Sequence, residues 1–282
     1  MPIYDQAYKP WEGQLLPKPK AWWVIAKTGI RLMWQKWIIV LLVFSTFPFA
    51  VRAVQIYLMN RVGDTSSQFG DLADKLQIDS GFFEGFLKGQ TFLFLLILAI
   101  VGAGLIANDR RFKALQIYFS KPLSFWDYLG GKMMILAFYT GLITAVPALL
   151  LFLIQFLLSG DPGFLSDYFW IPFSVIAVCL IAVLVLGGLI LTLSASVNNS
   201  AAAILFFAIL WFSDIVRKIL SRIPDVGLAS IGADIQQVSA VLFGNPRPHD
   251  FSPIGAWIAL VLVSGGCLLI LRLRLRPTEV VT

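Results

Sequence analysis

This sequence is poor in the residues from which most active sites are built. Its 282 residues include one histidine and two cysteines, and only 13% are charged. A metal site with no His pair and no Cys pair would need carboxylates alone, and none cluster within the apolar stretches. His249 lies in a Pro-rich stretch, Asn245–Pro253, without a catalytic partner beside it. Ser194, Ser196 and Ser264 sit in apolar runs that offer no His or Lys at mid-depth, so a serine nucleophile would lack its base. Cys179 and Cys267 also fall in apolar runs and read as buried small hydrophobes rather than a disulfide pair.

A phosphate-binding loop is missing as well. That motif needs G-x-x-x-x-G-K-[ST], so that backbone amides cradle phosphates and a hydroxyl holds magnesium. Here Gly130, Gly131 and Lys132 are followed by Met133, and Trp126 occupies the first glycine position. Lys132 reads instead as a membrane-edge residue, its stem in lipid and its amine among headgroups. The apolar runs carry almost no ionisable residues, which argues against proton- or ion-coupled transport. Alternation of apolar and polar residues is absent too, which argues against a β-barrel. The first 36 residues have no early apolar core and no small-residue cleavage site, unlike a cleaved signal peptide.

What the chain has in abundance is hydrophobicity: 58% of residues are apolar and the mean hydropathy is +0.81. It falls in blocks of roughly the 20 residues that cross a bilayer as helix. Six are expected: Trp37–Leu58, Thr91–Ala107, Leu129–Leu158, Tyr168–Ser196, Ala201–Phe212 and Ile254–Leu271. The fifth is short, so its helix is expected to start within Asn198–Ala203 and to run past Asp214, or to tilt. Pro147 and Pro172 are candidate kinks in the third and fourth. The expected fold is therefore an all-α integral membrane protein with six transmembrane helices. Residues 1–36 form a cytoplasmic N-terminal segment, 37–272 the transmembrane domain and 273–282 a cytoplasmic tail.

Between Pro19 and Trp37, apolar and basic residues separate at helical spacing. Trp22, Trp23, Ile25, Ala26, Ile30, Met33 and Trp34 alternate with Lys20, Lys27 and Arg31. This predicts an amphipathic helix lying in the headgroup region, anchored by tryptophans. With the N-terminus inside, most basic residues fall on the cytoplasmic side: Lys9, Lys18, Lys20, Lys27, Arg31, Lys36, Arg110, Arg111, Lys113, Lys121, Lys132, Arg272, Arg274 and Arg276. Most acids fall outside, so both termini are expected in the cytoplasm. The basic balance then reflects topology and anionic lipid rather than nucleic acid. The outer segment Met59–Gln90 is acidic with apolar faces and predicts two short amphipathic helices. Ser213–Phe251 predicts one or two helices that dip into the outer leaflet, broken at Ile223–Gly227 and resuming at Ile231.

The most distinctive stretch is FKALQIYFSKPLSFWDYLG, Phe112 to Gly130, polar and aromatic between two apolar runs and preceded by Asp109, Arg110 and Arg111. Phe112, Leu115, Tyr118 and Phe119 interleave with Arg110, Arg111, Lys113 and Lys121. Basic charge with aromatic anchors suits a protein partner. The alternative is a basic loop lying on anionic lipid, which needs charge but not the aromatics.

The run Ile106–Lys132 resembles the membrane subunits of ABC transporters of the second type. In that family a span ends in an acidic residue, matched by Asp109. A short cytoplasmic helix follows, whose leucine is matched by Leu115. Ser120, Lys121 and Pro122 match the turn after it, and Gly131 with Lys132 the pair that opens the next span. Many members carry Gly-Thr where this chain has Lys113 and Ala114. The resemblance implies a permease with no catalytic residue and no cofactor of its own, in a bacterial inner membrane. A second permease subunit and a separate cytoplasmic ATPase, which would hold ATP and Mg, are implied as partners, and the short helix would seat in the ATPase. A non-transporting membrane scaffold using the same surface is the alternative function, and a membrane-embedded enzyme a third.

Overall fold

The computed structural model describes residues 20–34, 36–62, 78–119, 123–159, 162–220 and 230–275, and every regular element among them is helical. In chain order they are α1 (Ala21–Met33), α2 (Lys36–Val62), α3 (Ser80–Arg111), α4 (Ala114–Phe119), α5 (Phe125–Ile143) and α6 (Ala145–Ser159). There follow α7 (Pro162–Tyr168), α8 (Ile171–Ala182), a π-helical turn Val183–Gly187, α9 (Gly188–Ser196), α10 (Asn199–Leu220), α11 (Ile231–Leu242) and α12 (Pro253–Arg274).

Five stretches of described helix are long and apolar enough to cross a membrane: Ile38–Asn60, Ser80–Arg111, Phe125–Ser159, Gly163–Ser196 and Pro253–Arg274. A shorter apolar stretch, Ala201–Val216, lies in α10. Phe44, Phe47, Phe92, Phe173 and Leu262 are each more than half exposed. An apolar mantle of this kind suits contact with hydrocarbon, where exposure of such side chains carries no penalty. The chain is thus an all-α protein with the character of a multi-pass membrane protein.

The hub is α3. Its most apolar window is 67% buried, against 11% for α2 and 22% for α12. Close approach to α9 makes this possible: a Cβ at Gly102 would lie 2.7 Å from Cγ2 of Ile190. Ser194 adds polar stitching, since its hydroxyl donates to the Ala103 carbonyl at 2.6 Å and lies 2.9 Å from the Ala107 amide nitrogen. The buried core follows this contact, with Ile97, Val101, Ile106, Ile135, Ile190, Leu191 and Phe206 in one cluster. A second cluster, at the other end of α3, gathers Phe82, Phe83, Phe86, Phe152 and Phe164.

Several helix boundaries depart from the sequence reading. Ser80–Gln90 is not a separate amphipathic helix but the first turns of α3, capped by Asp79, whose carboxylate accepts from the Phe82 amide at 3.0 Å. The segment from 63 to 77 lies outside the described residues. The third apolar run divides at Thr144, three residues before Pro147. Proline there lacks the N–H that would reach the Ile143 carbonyl. Thr144 and Thr140 donate their hydroxyls to the carbonyls of Thr140 and Leu136, at 2.8 and 2.7 Å. Pro172, by contrast, sits in the first turn of α8, where a missing N–H is harmless. As expected, α10 begins at Asn199 and passes Asp214, and α11 begins at Ile231. The expected break at 223–227 lies outside the described residues.

Candidate functional site

The Asp109 end of α3 collects most of the residues singled out from sequence. The helix ends at Arg111, and Lys113 takes a left-handed conformation with φ +56° before α4 begins. That conformation is natural to glycine and strained for other residues. After α4, Ser124 starts α5 through a capping box. Its hydroxyl accepts from the Asp127 amide at 3.1 Å, and the Asp127 carboxylate accepts from the Ser124 backbone amide at 3.4 Å.

Asp109 and Lys132 close this segment into a loop. Their charged groups lie 2.7 Å apart, with side chains 17% and 8% exposed. Lys132 also donates to the Leu105 carbonyl at 2.8 Å and lies over the Tyr128 ring. The Tyr128 hydroxyl donates to the other side of the pair, reaching Asp109 at 2.7 Å. Lys132 is therefore not a lipid-edge residue with its amine among headgroups: the amine is committed inside the fold. Pairing is what makes a buried ammonium tolerable. The Tyr118 ring lies 5.6 Å from that of Tyr128. Burial, and then the Asp109 charge, push the Tyr118 phenol above its ordinary pKa.

The predicted docking residues thus divide. Arg111, Phe112 and Lys113 are exposed, Phe112 by 71%. Leu115 and Tyr118 are partly buried against the main core, so they hold α4 to the bundle rather than face outward. Arg110 donates to the carbonyl of Ala195 near the end of α9. Beside it a cleft of about 640 Å³ is lined by Asn108, Arg110, Arg111, Ser196 and Asn198. Phe119 closes α4, while Ser120, Lys121 and Pro122 lie outside the described residues.

The N-terminal helix forms where its periodicity predicts, but its inner face meets protein. Trp22, Ile25, Ala26, Gly29, Ile30 and Met33 are buried or partly buried, while Trp23, Lys27, Arg31 and Trp34 are exposed. A Cβ at Gly131 would lie 2.8 Å from Ile25 and 2.9 Å from the Trp22 carbonyl. One at Gly29 would strike Ile135. Further along, the Tyr139 hydroxyl donates to the Ile30 carbonyl at 2.7 Å. Contacts from Gly131 to Tyr139 carry α1 about 12 Å along α5, so the two helices pack lengthwise. Arg272 and Arg274 are exposed in the last turn of α12.

Sequence reasoning passed over Tyr128 and Ser194 as structural partners. A tyrosine four residues before a lysine on one helix is a detectable signal for the first; the partner of Ser194 lies 91 residues away and left none. Among the described residues no group of three or more His, Cys, Asp or Glu side chains could hold a metal ion. Compared with known proteins, the chain matches no protein-family model and no curated sequence.

Proposed function

We propose that this chain is the permease subunit of an ATP-driven transporter of the second ABC type. It pairs with a second permease subunit and couples to a separate cytoplasmic ATPase in a bacterial inner membrane, exporting its substrate. In this reading α10 is the sixth crossing, both termini are cytoplasmic and α4 is the helix that meets the ATPase.

The observation that carries the reading is the construction around α4. A short helix joins two long apolar helices, and the Asp109–Lys132 pair braces its two flanks. Arg111 and Phe112 are left outward beside it. A push on α4 would pass through that brace into α3 and α5, since a buried, charge-assisted link resists separation. The left-handed Lys113 also agrees with the resemblance, because it stands where many family members carry glycine.

The test is co-purification of the tagged chain, expressed in its own host, with a cytoplasmic ATPase. Arg111→Glu with Phe112→Asp should abolish capture while leaving the thermal midpoint of the chain unchanged, because both side chains are exposed. Leu115 is unsuited to this test, since it packs inward. An assembled complex whose ATP turnover is indifferent to both substitutions would instead favour the non-transporting scaffold.

A further inference from the structure

A lengthwise groove of about 620 Å³ opens between α5, the π-helical turn and α12. Trp126 and Met133 of α5, Leu184 of the turn, and Trp257, Val261 and Leu268 of α12 are among the side chains that line it. Trp126, Leu184 and Val261 are each more than half exposed, so the groove is open along its side. Two glycines keep it empty of protein: Gly130 and Gly265 both line it, and a Cβ at either would meet no atom within 4 Å. Among the described residues no charged side chain lines it, and the Ser264 hydroxyl is turned to the Leu260 carbonyl at 2.8 Å. Water is a poor occupant of such a surface, and hydrocarbon a good one.

Length and width select the kind of hydrocarbon. On α12 the lining runs from Trp257 to Leu271, about 21 Å of helix. One leaflet supplies about 15 Å, half of a hydrocarbon core about 30 Å thick, so a whole acyl chain can lie along the groove. Spread over its length, the volume gives a cross-section of about 30 Å², against roughly 80–110 Å² for a helix 10–12 Å across. The groove therefore seats a lipid chain rather than a helix from a second copy.

One end of the groove is basic. Arg272 follows Leu268 by one turn and Gly265 by two, which places it on the lining stripe of α12. It is exposed and has no ion pair among the described residues. Trp126 stands at the same end. It lies two residues before Tyr128, which bonds Asp109. The Thr192 hydroxyl lies 3.3 Å from the Cys267 carbonyl, three residues before Ala195 accepts from Arg110, while Val185 packs with Leu260 toward the other end. The acids here are already engaged, Asp109 by Lys132 and Asp127 by the cap of α5.

We infer that this groove binds one molecule of an anionic phospholipid. One acyl chain lies along it, the phosphate meets Arg272, and Trp126 stands at the headgroup level that tryptophan and arginine both favour. The site is complete within one chain and does not depend on the transport reading.

The experiment uses the purified full chain in maltoside detergent, without any ATPase. Phosphatidylglycerol and phosphatidylcholine with identical acyl chains are titrated separately, and bound lipid is counted by native mass spectrometry. One phosphatidylglycerol per chain should bind about fivefold more tightly than phosphatidylcholine, the contribution of one arginine to attraction of anionic lipid. Arg272→Gln should remove that preference and leave phosphatidylcholine binding nearly unchanged. Gly265→Phe projects a ring into the open groove and should abolish the tight site. Gly266→Phe, beside it in sequence but off the lining and equally free of neighbours within 4 Å of its Cβ, should leave the site intact. Arg272 is exposed, so its variant decides the matter even if Gly265→Phe does not fold. Equal affinity for the two lipids in the parent, or a preference unmoved by Arg272→Gln, would overturn the inference. So would a Gly265→Phe variant that keeps its tight lipid but loses a dimer seen by light scattering, since a second copy would then be the occupant.

Discussion

Replacing Lys132 by Met tests whether the pair with Asp109 joins two helices or merely decorates them. The substitution keeps an unbranched side chain of similar length and removes only the charge. Asp109 then keeps the Tyr128 hydroxyl at 2.7 Å but loses the ammonium at the same distance. Breaking a buried ion pair from one side costs about 3–5 kcal/mol, because the remaining charge stays buried without compensation. The surviving tyrosine contact places Lys132→Met at the low end, about 3 kcal/mol. Asp109→Asn should cost a similar amount, since the lysine retains only the Leu105 carbonyl and the Tyr128 ring face. The double substitution removes both charges together and should cost far less than the sum of the two. A coupling energy of about 2–3 kcal/mol is therefore expected from the cycle. Unfolding in mixed micelles titrated with sodium dodecyl sulfate, followed by circular dichroism, gives the four stabilities. Coupling below about 0.5 kcal/mol, the range of solvent-exposed pairs, would refute the account of Asp109 and Lys132 as a brace.

Two further outcomes follow from particular positions. Gly131→Ala should destabilise by about 1–3 kcal/mol through overpacking against Ile25 and the Trp22 backbone. Gly130→Ala should be neutral or stabilising, because no atom lies within 4 Å of its added Cβ; equal thermal midpoints for the two variants would remove α1 from the α5 face. On α11, burial raises the Asp234 carboxyl from 3.8 to about 7, and one of its oxygens has no hydrogen-bond partner among the described residues. Below pH 4 the carboxyl is protonated in both folded and unfolded chains. Between about pH 4 and 7 only the unfolded chain releases the proton, so stability falls with rising pH, by about 1.4 kcal/mol per unit. Above about 7 the loss is complete, and the midpoint-versus-pH curve of Asp234→Asn should be flatter than that of the parent across this window.

Much of the local structure was legible because its causes are local. Lengths of the apolar runs, the 3.6-residue alternation of α1, the onset of α11 at Ile231 and the weakness before Pro147 depend on residues within a few turns of one another. The short helix between α3 and α5, by contrast, was expected only from the family resemblance. Misreadings arose where charge or polarity was taken at face value. Ser80–Gln90 looked like a surface helix because it continues an acidic stretch that includes Glu84, yet Glu84 is buried and pairs with Lys88 at 2.8 Å within α3.

By itself the sequence determined that the chain is helical, apolar enough for lipid and divided by one basic, aromatic segment, since composition and periodicity act before any distant contact forms. Tertiary structure alone decided what each face and charge meets. It turned Lys132 inward to Asp109, 23 residues earlier, and set α1 against Gly131. It also brought Ser194 onto α3 and left a groove beside the π-helical turn. Those outcomes depend on which helices come together, and that is decided by close packing between segments far apart in the chain.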